Sequence, residues 1–353
     1  MNTKTRLLIG TLATSVALSL SASAAVLPVR GDDLAGNERY LTFVHTGGVQ
    51  AEGKDIGARR YITDTQWSAF KPDATNPKDL NSWVVYGKPF YAMASGTVVA
   101  CWRNAPENIP GSLHPQYKPG FKFAGGGNHL WILQDDGTYA LYAHAQPGSI
   151  PANICPHNAP LFTGNSGKGG SPDIEPEARV TNGARISAGQ FLGRVGNSGS
   201  SESGPHLHVH MEKGGKPVPM AFDRGLTTPF TGGKVSLNGP WTPLAGNALP
   251  ESSILIWPAR PAGNLTFNGI KGEDYQRLAE HLADSGMMPN LITCTSNGAT
   301  YNSTWVPKQG DFATYHGMTA TVAAERHAAL TQQGFKRTSS YTCGSVTVAV
   351  WRK

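Results

Sequence analysis

With 353 residues the chain is long enough for two modest domains. Its 42 glycines and 25 prolines, against 15% charged residues, exclude long helical bundles and favour strands joined by turns. The net charge of +6, or +4 without the two cations Lys4 and Arg6, suits an anionic surface such as a bacterial envelope. No basic cluster is present, so nucleic acid is set aside as a partner.

In chain order, Lys4 and Arg6 precede an apolar run from Leu7 to Leu20 and the small residues Ala22-Ser23-Ala24. That is the pattern of a secretory signal cleaved after Ala24. The run is short for a membrane span and no later segment is apolar enough, so no stable membrane insertion is expected. No cysteine near Ala24 supplies a lipid anchor. The expectation is a secreted monomer, extracellular or periplasmic, with residues 1–24 removed.

Residues 25–230 read as a β-rich domain. Pro89 to Ala100 reads as strand, turn, strand. Gly127 to Gln134 and Thr138 to His144 are two strands, with Asp135-Asp136-Gly137 as the hairpin signal between them. Val180 to Gly193 carries the turn Asn182-Gly183 and a further strand pair. The stretches 103–124 and 146–181 are rich in Pro, Gly, Asn and Ser. They are too long for ordinary hairpin loops and are expected to overhang a site.

The glycine-rich turn Val195-Gly196-Asn197-Ser198-Gly199-Ser200-Ser201 leads into Gly204-Pro205-His206-Leu207-His208-Val209-His210. Alternate residues of a strand share a face. Two imidazoles at i and i+2 can therefore meet one metal-centred site, while Leu207 and Val209 turn to the core. The plainer alternative is a half-buried strand that happens to carry histidines.

Residues 231–263, rich in Gly and Pro, read as a linker. Residues 264–353 hold an internal repeat: Thr266-Phe267-Asn268-Gly269-Ile270 recurs as Thr314-Tyr315-His316-Gly317-Met318. Tyr275, Leu278, Ala279, Leu282 and Ala283 fall on one helical face, and Gly286 is the stop. The second helix is less clean. Each unit is expected to be helix–strand–strand, a small α+β domain of two repeats packed on each other. His281, His316 and His327 show no ligand spacing. Four cysteines fit an oxidising compartment and allow three pairings, of which Cys101–Cys155 and Cys294–Cys343 put one bridge in each domain.

The order Gly87-x-Pro89-x-Tyr91-Ala92 with Gly96-Thr97-Val98, Gly127-Asn128-His129, Tyr142-Ala143-His144, Val195-Gly196-Asn197-Ser198-Gly199 and Gly204-Pro205-His206-Leu207-His208 resembles the M23 (LytM/lysostaphin-like) zinc metallopeptidases. The resemblance spans about Gly87 to Met211 with two insertions. It implies a small antiparallel β-sheet core with a loop-walled cleft. It also implies a zinc metalloendopeptidase that hydrolyses the peptide cross-bridges of bacterial peptidoglycan. By that resemblance His208 is a zinc ligand, and His206 and His144 are the catalytic pair. Such a zinc needs three protein ligands and an open position for water. The histidines then move the proton and stabilise the developing charge.

The sequence departs from the family at the upstream ligands, where His and Asp usually lie just before the Gly-x-Pro-x-Tyr-Ala strand. Asn76 to Ser82 offers Asp79 but no histidine. His45, with Asp55 ten residues later, is the pair expected to complete the site. The alternative makes His45 a turn histidine and Asp55 a surface carboxylate. His210 has no family role and is left as supporting or structural. Two other functions share the pattern: a non-catalytic wall-binding regulator, and a zinc protease of glycine-rich proteins. The C-terminal pair resembles tandem-repeat units appended to some secreted bacterial hydrolases, as a binding module or a folding aid.

Overall fold

The computed structural model describes residues 25–353 except 46, 118–124, 162–171, 173, 202, 238, 245, 251 and 257–263. The expected leader at 1–24 and parts of both long loops lie outside the described residues. The chain is mostly β. One compact unit holds the described residues of 22–240 and 246–257, and the other those of 241–245 and 258–353.

The first unit is organised by a large antiparallel sheet. Its strands are β1 (Glu38–Val44), β2 (Lys54–Thr63), β4 (Gly96–Trp102), β5 (His129–Gln134), β6 (Tyr139–Ala143), β8 (Leu207–Lys213), β9 (Leu226–Pro229) and β10 (Ser253–Ile256). β3 (Pro89–Tyr91) and β7 (Phe191–Arg194) form a separate small sheet. The large sheet runs β9-β10-β1-β2-β8-β6-β5-β4. The β5–β6 turn is the expected one: Gly137 has φ +81° and Thr138 N donates to Asp136 Oδ1.

Period-2 alternation decides the two faces. Ile56, Leu207, Val209, Tyr142, Leu130, Ile132 and Val98 are cross-strand neighbours and are all buried. Each such side chain contributes roughly 1.5–3 kcal/mol by leaving water. The small sheet seals this face: Phe90 stacks on Tyr142, whose hydroxyl accepts from Met93 N at 2.7 Å. The opposite face carries Asp55, His208 and Ala143 in one cross-strand row. His210, Leu141 and Trp131 form the next row. Part of this second face is covered by Tyr117, Ile174 and Ala178 from the long loops. A disulfide joins Cys101 on β4 to Cys155 in the second of these loops.

The linker expectation fails at Ser253–Ile256. These residues form β10, with Ile254 opposite Leu41 and Leu255 opposite Tyr40, all buried. The Gly/Pro-rich surroundings hid a four-residue strand that β1 needs as a partner.

The second unit holds β11 (Leu265–Lys271), α1 (Gly272–Asp284), β12 (Met287–Thr295), β13 (Thr300–Pro307), β14 (Phe312–Met318), α2 (Ala320–Gln332), β15 (Lys336–Cys343) and β16 (Val346–Arg352). Its sheets run β11-β13-β12 and β14-β16-β15. Each half is strand–helix–strand–strand, one strand more than the expected helix–strand–strand. The extra strand is the repeated motif itself. Gly269 (φ +68°) and Gly317 (φ +64°) sit at matching register shifts, where a left-handed residue lets the strand bulge. On α1, Tyr275, Leu278, Ala279 and Leu282 are buried, whereas on α2 the buried residue is Leu330. Cys294 and Cys343 bridge the two halves.

Candidate functional site

Three strands deliver three side chains to one point. His45 follows β1, Asp55 lies on β2, and His208 lies on β8 directly opposite Asp55. Asp55 Oδ1 is 2.9 Å from His45 Nε2 and 2.9 Å from His208 Nδ1, and the two nitrogens are 3.1 Å apart. Side-chain exposure falls from 34% at His45 through 25% at Asp55 to 5% at His208, so the group opens to solvent at His45.

His45, Asp55 and His208 could hold a metal ion. A tetrahedral zinc with bonds of about 2.0 Å has ligand atoms roughly 3.3 Å apart, close to the spacing of this triangle. Two nitrogens and one carboxylate oxygen form a borderline donor set that suits zinc, and three ligands leave a fourth position open. Burial alone would raise the Asp55 carboxyl, but the neighbouring His208 and His45 rings hold it far below the usual carboxylate range. His45 is raised by its hydrogen bond to Asp55, while burial lowers His208. Asp79 is elsewhere: it accepts from Asn81 N at the start of a short turn.

His206 and His144 lie beside the triangle. His206 Nδ1 is 2.9 Å from Gly204 O, and its Nε2 is 3.5 Å from Asp55 Oδ1. His144 Nδ1 is 2.7 Å from Ser198 O, and its ring centroid is 4.8 Å from that of His206. A carbonyl only accepts, so both rings carry their proton on Nδ1. Burial, then the neighbouring His206 and His208, pushes His144 well below the ordinary histidine value.

Local sequence explains these placements. His144 has φ +67°, a left-handed conformation that is uncommon outside glycine. It is held by its own N donating to Gly126 O and by Gly196 N donating to its carbonyl. The glycine-rich turn packs against Gly125-Gly126-Gly127. A Cβ on Gly199 would lie 2.3 Å from Gly125 O, and one on Gly127 would lie 2.4 Å from Gly199 N. Only bare backbone lets the two segments meet. Glu107 pins the same turn: Oε1 accepts from Asn197 N at 3.1 Å and Oε2 from Tyr86 OH at 2.6 Å.

The cleft over these residues encloses about 470 Å³. Its lining includes Gln50, Glu175 and Ser200 as well as the histidines above. His129 and His210 also line it, each almost fully buried. His129 was not singled out from the sequence; the available signal was its place in the Gly-Asn-His run that opens β5. His210 sits beside His208, with His208 Nε2 2.8 Å from His210 Nδ1, and burial pushes it down to about 3.

Residues 175–220 match the model of peptidase family M23. That segment contains the glycine-rich turn and both histidines of the His206-Leu207-His208 run. Among curated proteins none matches the chain significantly. Among solved structures, the chain is similar to the catalytic domain of the antimicrobial peptidase lysostaphin from Staphylococcus simulans. Identity is 20%, coverage is 49% of this chain and 77% of that one, and the TM-score is 0.23. For the antimicrobial peptidase lysostaphin from the same organism the values are 18%, 54%, 48% and 0.24. For a zinc-containing peptidase from Vibrio cholerae they are 16%, 47%, 48% and 0.22. The chain thus spans about half the length of the latter two.

Proposed function

We propose that the chain is a zinc-dependent endopeptidase that cleaves peptide cross-bridges of bacterial peptidoglycan. The observation that carries this reading is the His45/Asp55/His208 triangle with His144 and His206 at its side, all lining one cleft. The match of residues 175–220 to peptidase family M23 supports it independently.

His45, Asp55 and His208 would hold the metal. Bound zinc supplies Lewis acidity, lowering the pKa of water toward neutrality and polarising a carbonyl. The chain's own residues do the rest. With Nδ1 bound to Gly204 O, His206 turns Nε2 toward Asp55. That ring takes the proton from the attacking water and returns it to the leaving amine. His144, anchored to Ser198 O by its Nδ1–H and kept neutral by burial, presents an Nε2 lone pair that accepts a hydrogen bond from the attacking water and orients it. The extended strands and long loops around the cleft suit an unstructured peptide rather than a folded protein.

Two disulfides fit a protein working outside the cytoplasm. The C-terminal pair of strand–helix–strand–strand units is read as a module for wall binding.

The test is metal content and wall hydrolysis measured together on the protein, beside His45→Ala and Asp55→Ala. One zinc per chain and turbidity loss, both abolished in the variants, is the expected result. Zinc retained in both variants would refute the ligand assignment. No zinc and no hydrolysis in the unaltered protein, with wall binding intact, would point instead to a non-catalytic wall-binding regulator.

A further inference from the structure

His210 is a buried histidine that the reaction does not use. It is 2% exposed, at the inner end of the candidate site. We propose that His210 is a positioning residue: it accepts the Nε2–H of His208 and so locks His208 in the tautomer whose Nδ1 lone pair faces the metal. This rests on the zinc-site reading above and adds a fourth residue to it.

The geometry is direct. Strand β8 places His208 and His210 on one face, and His206 immediately precedes it. The His208 ring is held at both nitrogens: Nδ1 lies 2.9 Å from Asp55 Oδ1, and Nε2 lies 2.8 Å from His210 Nδ1. A neutral imidazole has one N–H and one lone pair. If Nδ1 is to ligate, the proton must sit on Nε2, and a buried N–H needs an acceptor. His210 Nδ1 is that acceptor, and its own proton then lies on Nε2, which has no hydrogen-bond partner among the described residues. With the proton on His210 Nδ1 instead, His208 Nε2 would be the acceptor and its Nδ1 would carry a hydrogen aimed at Asp55. The triangle would then be a hydrogen-bonded cluster with no lone pair for an ion.

His210 is itself fixed. Its ring meets Trp131 edge to face, with centroids 5.3 Å apart at 83°. Its Cβ lies 3.1 Å from the point where a Cβ on Gly53 would sit, so the backbone just before β2 is closely packed against it. Metal-bound histidines commonly rest their second nitrogen on a carboxylate or backbone carbonyl. Here the role falls to another histidine, presented by the same strand two residues on. The third histidine of the His-x-His-x-His run thereby acquires a reason.

The test is zinc affinity, read by competition with a chromogenic chelator, for the full chain and for His210→Leu and His210→Asn. Leu fills the space without an acceptor, whereas the Asn carbonyl reaches about where Nδ1 lies. The expected result is a loss of about 10–100-fold in affinity for Leu, the usual effect of removing such a partner, and recovery of most of it for Asn. Circular dichroism and melting in chelator establish that the variants fold. Leu binding zinc as tightly as the unaltered chain would overturn the proposal. So would Asn as weak as Leu with both folded. Should Leu fail to fold, Asn decides alone: retained affinity supports the proposal and lost affinity overturns it. Zinc affinity unchanged in His45→Ala would instead sink the metal-site reading beneath it.

Discussion

Glu107 offers the most demanding test of how this fold holds its site. It touches neither the His45/Asp55/His208 triangle nor the proposed catalytic pair. Its carboxylate accepts from Asn197 N at 3.1 Å and from Tyr86 OH at 2.6 Å. The next residue after Asn197 is Ser198, whose carbonyl anchors His144 Nδ1 at 2.7 Å. Truncation to Ala removes both hydrogen bonds to a charged acceptor. Each such bond is worth about 1.5–3 kcal/mol, and since Glu107 is only half-buried water can replace part of the loss. The expected cost is therefore about 2–4 kcal/mol in Glu107→Ala. Glu107→Gln keeps one acceptor for Asn197 N, and its amide can donate to the Tyr86 oxygen. It also removes a carboxylate that burial pushes above its ordinary value. Its cost is expected to stay below about 1 kcal/mol. Urea unfolding followed by tryptophan fluorescence reads these differences as midpoint shifts at constant slope. Wall hydrolysis should fall at least about 10-fold in Glu107→Ala, because displacement of a positioned group by a fraction of an ångström is enough. It should be nearly unchanged in Glu107→Gln. Equal stability and equal hydrolysis in Glu107→Ala would refute the idea that this clasp positions His144.

Three further outcomes follow from the geometry. His316 packs edge-on against Tyr275 and Tyr301, and burial pushes it from 6.5 down to about 4. It is neutral in the fold, so its stabilisation is complete above pH 6.5 and is lost as pH falls from 6.5 toward 4, by at most about 3 kcal/mol. Thermal midpoints between pH 8 and pH 4 should slope more steeply for the unaltered chain than for His316→Phe, and parallel slopes would contradict this. The two disulfides close loops of 54 and 49 residues, so replacing either pair by Ala should destabilise its unit by up to about 4 kcal/mol in denaturant titrations. Gly199→Ala meets both a φ of +85° and a backbone oxygen 2.3 Å from the new Cβ, and should cost more than about 2 kcal/mol. A stable variant with unchanged unfolding midpoint would show that the Gly125–Gly127 wall can give way.

Several features were legible in the sequence because they are local. The β5–β6 hairpin follows from Asp135-Asp136-Gly137, and α1 follows from the spacing of Tyr275, Leu278, Ala279 and Leu282. The His206–His208 face follows from strand period alone. What sequence missed was non-local. Ser253–Ile256 looked like linker because a strand of four residues carries too little pattern to outweigh its Gly and Pro neighbours. The bulged first strand of each repeat was not assigned as a strand, since Gly269 and Gly317 break the alternation at the point where the fold uses them.

The chemistry of the candidate site was set by sequence: an alternating histidine strand after a glycine-rich turn specifies which rings share a face, since side-chain direction in a strand depends only on parity. Which partners those rings meet was a tertiary matter. His45 and Asp55 lie more than 150 residues before His208, and they reach it only because β8 crosses the chain to pair with β2. No local rule states that register. It is fixed by the burial of Ile56, Leu207 and Val209 on the other side of the same sheet, where a slip of one residue would turn the apolar side chains to the cleft and the histidines to the core.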